Sequence, residues 1–239
     1  MMKAIIVGAS SGIGAALAHV LIQHGYRVGL VARRLPLLLE LQKKLGPTSF
    51  VKQADIADTA AGRERLYELI REIGGVDLVV ISAGTGFINP SLDWDLEEQT
   101  IAVNVSGFTA VADVAMHWFL KQSSGHLVSI SSIAALRGSG EAPAYNASKA
   151  FVSNYMDGLR QKVTKLGVPI IITDIQAGFV DTAMARGEGL FWVASPEKAA
   201  VQIYQAIRKK RKHAYVTKRW RLIGWFLKFA PNNLYDRLV

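Results

Sequence analysis

The sequence predicts an α/β fold in which a doubly wound parallel sheet carries helices on both faces. Three observations predict it. Short runs of continuous apolar residues alternate with segments of helical apolar spacing. The runs lack the in–out alternation of a half-wet sheet, so their strands are buried on both faces. The first run ends at a glycine cluster that opens directly into the first helical segment.

The elements follow in order. Ala4–Val7 is a short buried strand, and Ala15–Gln23 continues with apolar residues at helical spacing. Tyr26–Ala32 reads as the second strand and Leu35–Leu45 as the second helix. Phe50–Gln53 is a short strand, and Arg63–Ile73 a charged amphipathic helix. Val76–Ile81 (Val-Asp-Leu-Val-Val-Ile) again looks like a strand without a wet face. Two long helical patterns, Leu96–Leu120 and Tyr145–Leu166, flank the strand Leu127–Ile130, and Ile170–Ile175 is a further strand. Such βα units cross over right-handedly, and ligands bind beyond the carboxyl ends of the strands. One domain over residues 1–205 is expected, with a basic aromatic extension over 206–239 packed on it or appended to it.

The 239 residues are enough for one sizeable core. A chain that is 50% hydrophobic and 20% charged is not disordered. The absence of cysteine removes disulfides, thiolate metal sites and cysteine nucleophiles, and is compatible with a cytoplasmic location. His19, His24, His117, His126 and His213 show no close ligand pairing, so no metal is expected. The opening apolar run is too short for a secretory segment. No run approaches the ~18 apolar residues of a membrane span. The net charge of +9 is uneven: ten of the 28 Lys/Arg lie from Arg208 onward, with Asp236 the one acid there. The body is neutral and the excess sits in the tail.

The turn Gly8-Ala9-Ser10-Ser11-Gly12-Ile13-Gly14 lies between the first strand and first helix. Glycines there let the backbone approach a pyrophosphate, and the helix N-terminus offers unpaired N–H groups. The second strand ends at Arg33-Arg34, where an NAD-preferring site usually places an acid for the ribose hydroxyl. Arginine is shaped for a phosphate. NADP(H) is therefore expected in preference to NAD(H), with Arg33 the first contact, Arg34 the second and Ser10 an added donor.

In Tyr145-Asn146-Ala147-Ser148-Lys149, residues four apart share a helix face. A phenol is a poor acid–base group at neutral pH, and a nearby ammonium lowers its pKa. Ser132 stands thirteen residues earlier, and Asn104 earlier still. These residues, with the Gly-x-x-x-Gly-x-Gly turn, strongly resemble the single-domain short-chain dehydrogenase/reductase family, over roughly residues 3–205. The resemblance implies a Rossmann-like fold and an NADP-dependent enzyme that interconverts a carbonyl and an alcohol.

The resemblance also implies roles. Tyr145 would be the general acid/base. Lys149 would lower its pKa and bind the nicotinamide ribose. Ser132, chosen over Ser131 by its spacing to Tyr145, would orient the carbonyl. Asn104 would hold a water linking Lys149 to solvent. Asp55-Ile56 after the third strand would meet the adenine. Ser82, Ala83 and Gly84 would allow close backbone approach, although the family's asparagines are replaced by Ile81 and Ser82. Gly178, Val180 and Thr182 would lie near the nicotinamide, with Ala177 in place of the family's proline. Homodimers or homotetramers through the two long helices are implied as well.

Met184 to Trp192 falls where that family keeps its substrate loop, and Leu190-Phe191-Trp192 suggests an apolar substrate. The alternative is that these residues pack inward. The tail joins Arg208-Lys209-Lys210-Arg211-Lys212 to Trp220, Trp225, Phe226 and Phe229. Residues 208–229 would suit peripheral contact with an anionic membrane, or a solvated helix end with aromatics covering the pocket or an interface. Nucleic acid is not an expected partner, because the body is neutral. A non-catalytic NADP-binding protein is the competing reading, but it would not need all four of Asn104, Ser132, Tyr145 and Lys149.

Overall fold

The computed structural model describes residues 1–182, 191–229 and 231. Its sheet contains β1 (Lys3–Val7), β2 (Arg27–Ala32), β3 (Ser49–Gln53), β4 (Leu78–Ile81), β5 (Gly125–Ser132), β6 (Ile170–Ala177) and β7 (His213–Val216). All pairings are parallel, in the order β3-β2-β1-β4-β5-β6-β7. The helices are α1 (Gly12–Gln23), α2 (Leu35–Leu45), α3 (Thr59–Glu72), α4 (Trp94–Ile101), α5 (Phe108–Gln122), α6 (Pro143–Leu166), α7 (Pro196–Arg208) and α8 (Trp220–Phe229).

Alternate strand residues serve opposite layers. Ala4 and Ile6 of β1 pack with Leu17 and Leu21 of α1, Leu38 of α2 and Ile203 of α7. Ile5 and Val7 pack with Leu69 of α3, Phe119 of α5 and Met156 of α6. The sheet is thus covered on both faces, as the continuous apolar runs predict. The central strand β1 pairs with both β2 and β4, and the strand order reverses direction there. This switch point opens a crevice at the carboxyl ends.

Two expectations are corrected. The helix expected over Leu96–Leu120 is divided: a π-type turn, Ala102–Gly107, separates α4 from α5. The division at 205–206 falls inside α7, and residues 213–216 form β7, paired from Asp174↔His213 to Ala177↔Val216. Residues 213–216 of the expected extension are thus the edge strand of the sheet. β7 has only four residues and two of them are His213 and Tyr215, so it presents no apolar run. Short, charge-flanked strands are how sheet edges are protected.

Candidate active site

The glycine turn after β1 is packed too closely for side chains. Gly8 has φ +93°, and a Cβ there would stand 2.4 Å from the Ala83 amide. A Cβ on Gly14 would stand 2.2 Å from the Gly8 carbonyl. The turns after β1 and β4 thus touch, bringing Ser82, Ala83 and Gly84 to the start of α1. Ser11 is the N-cap of α1 but makes no side-chain capping bond. Ile13 is half-buried in the first turn.

Arg34 reaches back to this turn. Its Nη2 donates to Ser10 Oγ at 2.8 Å and to Ser11 Oγ at 2.7 Å. Arg33 instead faces Asp55, with Nη1 3.7 Å from Oδ2, both side chains about half exposed. Asp55 Oδ1 also accepts from the Ala57 amide at 3.0 Å, a local turn. Arg33, Gln53, Ala54, Asp55 and Asp58 line a shallow cleft of about 370 Å³. Ile56 is buried beneath Gly107, whose Cβ would stand 2.6 Å from the Ile56 carbonyl. Thr182 comes over the glycine turn, its methyl 2.9 Å from where a Gly12 Cβ would lie. Val180 is buried and bridges to Ala194.

The chemical groups gather at the ends of β4 and β5. Successive strand residues point to opposite sides. Ser131 is buried and donates to the Ile175 carbonyl at 3.2 Å. Ser132 turns the other way: its Oγ accepts from the Ala134 amide at 3.1 Å and hydrogen-bonds the Tyr145 phenol. Tyr145 lies in the first turn of α6, and Lys149 one turn further on the same face. Lys149 Nζ donates to the Ile130 carbonyl at 3.2 Å and stands 5.6 Å from the Tyr145 ring centroid.

Asn104 sits in the π-type turn and is 2% exposed. Its Oδ1 accepts from the Thr85 amide at 2.8 Å. Its Nδ2 donates to the Thr85 carbonyl at 2.7 Å and to Ser148 Oγ at 2.9 Å. A Cβ on Gly84 would lie 3.2 Å from Lys149 Nζ and 3.3 Å from Asn104 Oδ1. Lys149 and Asn104 therefore meet beside Gly84, and Tyr145 lies against Gly86 two residues further on. Ser132 stands at the carboxyl end of β5, and Gly84 follows Ala83, which packs on Gly8 of the glycine turn.

The family model described as short chain dehydrogenase matches residues 2–190. The chain belongs to the short-chain dehydrogenase family. This dehydrogenase is 34% identical over 245 residues to an uncharacterised oxidoreductase of Myxococcus xanthus, covering 98% of this chain and 94% of that one. It is an oxidoreductase. A short-chain dehydrogenase/reductase from Burkholderia phymatum in complex with NAD has the same fold, with a TM-score of 0.85 and 21% identity. That match covers 94% of this chain and 92% of the other. The closed form of a serine dehydrogenase complexed with NADP⁺ matches with a TM-score of 0.81 and 23% identity, over 90% of this chain and 94% of that one.

The electrostatics of the dehydrogenase site differ from the sequence expectation in one respect. Burial holds the Tyr145 phenol above its ordinary value, and the Ser132 hydrogen bond only partly offsets this. Lys149 was expected to pull the phenol down, but in the chain alone burial sets the direction. Burial also brings Lys149 itself down to about 8, against an opposing pull from Asp174.

Several residues of the site escaped sequence reasoning. Asp174, in β6, is 3% exposed. Its carboxylate accepts from Ser129 Oγ and Ser153 Oγ, each at 2.8 Å. The one available signal was an acid inside the apolar run Ile170–Ile175. Gly86 underlies Tyr145, since a Cβ there would stand 2.3 Å from the ring. Thr85 and Ser148 hold Asn104, and no motif marks them.

Gly178 follows β6, and the indole of Trp220 covers it; a Cβ there would meet Nε1 at 2.1 Å. Phe179, Phe191 and Trp192 surround that indole with centroid separations of 5.1, 5.1 and 6.0 Å. Phe191 and Trp192 remain nearly half exposed, so they neither enter the core nor stand free. Met184 to Leu190 of the expected substrate loop lie outside the described residues.

Proposed function

We propose that this dehydrogenase interconverts apolar carbonyl compounds and their alcohols, using NADP(H) in preference to NAD(H). The meeting of Lys149 and Asn104 beside Gly84, with Tyr145 against Gly86 and one helical turn from Lys149, carries the reading. The nicotinamide group, when bound, supplies or accepts the hydride.

The residues present fit such a dinucleotide. The N-terminus of α1 has no side-chain cap, and Gly8, Gly12 and Gly14 put no Cβ there, which leaves its N–H groups for a pyrophosphate. Arg34, Ser10 and Ser11 form a donor cluster beside it, suited to a ribose phosphate. Arg33 faces Asp55, so Arg34 takes the leading role and Arg33 the second. Gly84 keeps a side chain out of the space before Lys149 and Asn104. Solved structures of the same fold are described with NAD and with NADP⁺, so the two arginines, not the fold, support the preference.

Tyr145 gives its proton to the substrate oxygen in reduction and takes it back in oxidation. Ser132 hydrogen-bonds that oxygen and steadies the charge developing on it. Lys149, near 8, carries a positive charge at neutral pH close to the phenol and binds the ribose. Asn104 holds the Thr85 segment and Ser148 in place behind Lys149. Phe179, Phe191 and Trp192 favour an apolar substrate. Homo-oligomerisation through the long helices fits the exposure of Ile101 and Phe151 on that side.

Fluorescence titration with NADPH and NADH tests the cofactor assignment. NADPH should bind roughly tenfold or more tighter, and Arg34→Ala should remove most of the difference, Arg33→Ala less. In a screen of hydrophobic ketones, Tyr145→Phe should lower turnover by roughly 10²–10⁴ while leaving NADPH binding intact. If neither nucleotide binds, the proposal fails at its first step.

A further inference from the structure

α8 has two apolar faces, and only one of them is used by the fold. Trp220 is 1% exposed, and Gly224 packs under Tyr215, its Cβ position 2.7 Å from that ring. Between them Ile223 and Leu227 are half-buried, and Arg137 Nε donates to the Leu227 carbonyl at 2.8 Å. On the opposite face Leu222, Trp225, Phe226 and Phe229 are 69%, 68%, 43% and 62% exposed. Their spacing of i, i+3, i+4 and i+7 aligns them in one stripe. The rings of Trp225 and Phe229 stand 5.3 Å apart on it. A helix that packs on a core needs one apolar stripe, and this one carries a second facing outward.

The charge around that stripe has one sign. From Arg208 to Phe229 there are nine Lys/Arg and no Asp or Glu. Arg221 and Lys228, two turns apart, border the stripe on one side, and Lys218 and Arg219 precede it; all four are exposed. A second copy of the chain would bring these cations against their own kind. A surface of anionic headgroups over an apolar interior complements both features together. Tryptophan and phenylalanine also suit the headgroup boundary. No described helix is long and apolar enough to cross a membrane, so α8 would lie along the surface.

We propose that α8 docks this enzyme onto bilayers containing anionic phospholipid. Leu222, Trp225, Phe226 and Phe229 enter the boundary between headgroups and acyl chains, and Lys218, Arg219, Arg221 and Lys228 meet the phosphates. α8 packs against Ile133–Leu136, the turn immediately after Ser132, while its first residue covers Gly178. Docking therefore brings the mouth of the site to the lipid, where apolar carbonyl compounds partition. This last consequence rests on the proposed function; the docking itself does not.

The test is flotation of the full chain with phosphatidylcholine vesicles, with and without phosphatidylglycerol, at low and physiological salt. Binding should require phosphatidylglycerol and weaken with salt. Arg221→Glu with Lys228→Glu should reduce partitioning by about fivefold or more per residue changed. Trp225→Asp with Phe229→Asp should abolish it, with NADPH binding and unfolding temperature unchanged. Should that pair fail to fold, the charge-reversal pair alone decides. Absence of flotation with phosphatidylglycerol vesicles overturns the proposal. So does binding that survives both pairs, or a dimer in sedimentation that Trp225→Asp with Phe229→Asp dissociates while no vesicle binding is seen. A failed ketone screen with intact flotation would sink the substrate reading and leave the docking standing.

Discussion

Asp174 lies in the middle of β6, where a bare carboxylate would be costly. Hydroxyls of Ser129 and Ser153 satisfy its oxygens from two elements, β5 and α6. Its charge opposes the fall of the Lys149 pKa that burial causes. Asp174→Asn keeps a polar partner for both serines and removes the charge. The Lys149 pKa should then drop below about 8, so the ammonium is lost at lower pH. In a pH–rate profile the alkaline limb of kcat/KM should move toward neutrality, while activity at lower pH is kept. A profile that falls uniformly without shifting would assign Asp174 a purely structural role. Tyr145, Lys149 and Ser132 were legible because spacing along a helix or strand is local information. Asp174 was not, because nothing in its own segment shows what faces it. That Arg34 and not Arg33 hydrogen-bonds Ser10 and Ser11 was hidden for the same reason: the turn after β2 decides which guanidinium swings to them.

The π-type turn Ala102–Gly107 places Asn104 where its amide can bridge α6 and the segment after β4. A widened turn of this kind often marks a functional position. Apolar periodicity runs through it, so the sequence reads as one helix over Leu96–Leu120. Asn104→Ala should leave the Thr85 amide and carbonyl without their side-chain partner. A stranded group costs about 1–3 kcal/mol when fully buried, and the half-buried Thr85 segment lies toward the low end. Urea unfolding should show a total loss of about 1–3 kcal/mol, with m-value unchanged. The same variant should also slow turnover, because Ser148 and the backbone behind Lys149 lose their tether. Equal stability to wild type would mean that the turn relaxes to an ordinary helix without penalty.

At the scale of the molecule, residues 206–220 pack into the same core and sheet as the strands before them. Ala206, Ile207, Val216 and Trp220 are each 4% exposed or less. Side chains of this size contribute roughly 1.5–3 kcal/mol each when fully buried, alanine less. A chain ending at residue 205 would lose all four and open the edge of β6. That loss is comparable to the roughly 5–15 kcal/mol by which a domain is stable. The 1–205 fragment should therefore be insoluble or lack a cooperative thermal transition, whereas the full chain unfolds cooperatively. A well-folded fragment would restore the boundary expected from composition.

The sequence by itself determined the layer architecture, the strand buried at each apolar run, the glycine turn and the spacing of Ser132, Tyr145 and Lys149. Those properties follow from backbone periodicity and covalent distance, which act within a few residues. Tertiary structure alone decided that β7 closes the sheet and that Trp220 seals Gly178. It likewise decided which arginine meets Ser10, that Asp174 lies near Lys149, and that α8 turns a second apolar face outward. Each of these depends on which distant segments meet, and packing of the whole chain selects those meetings.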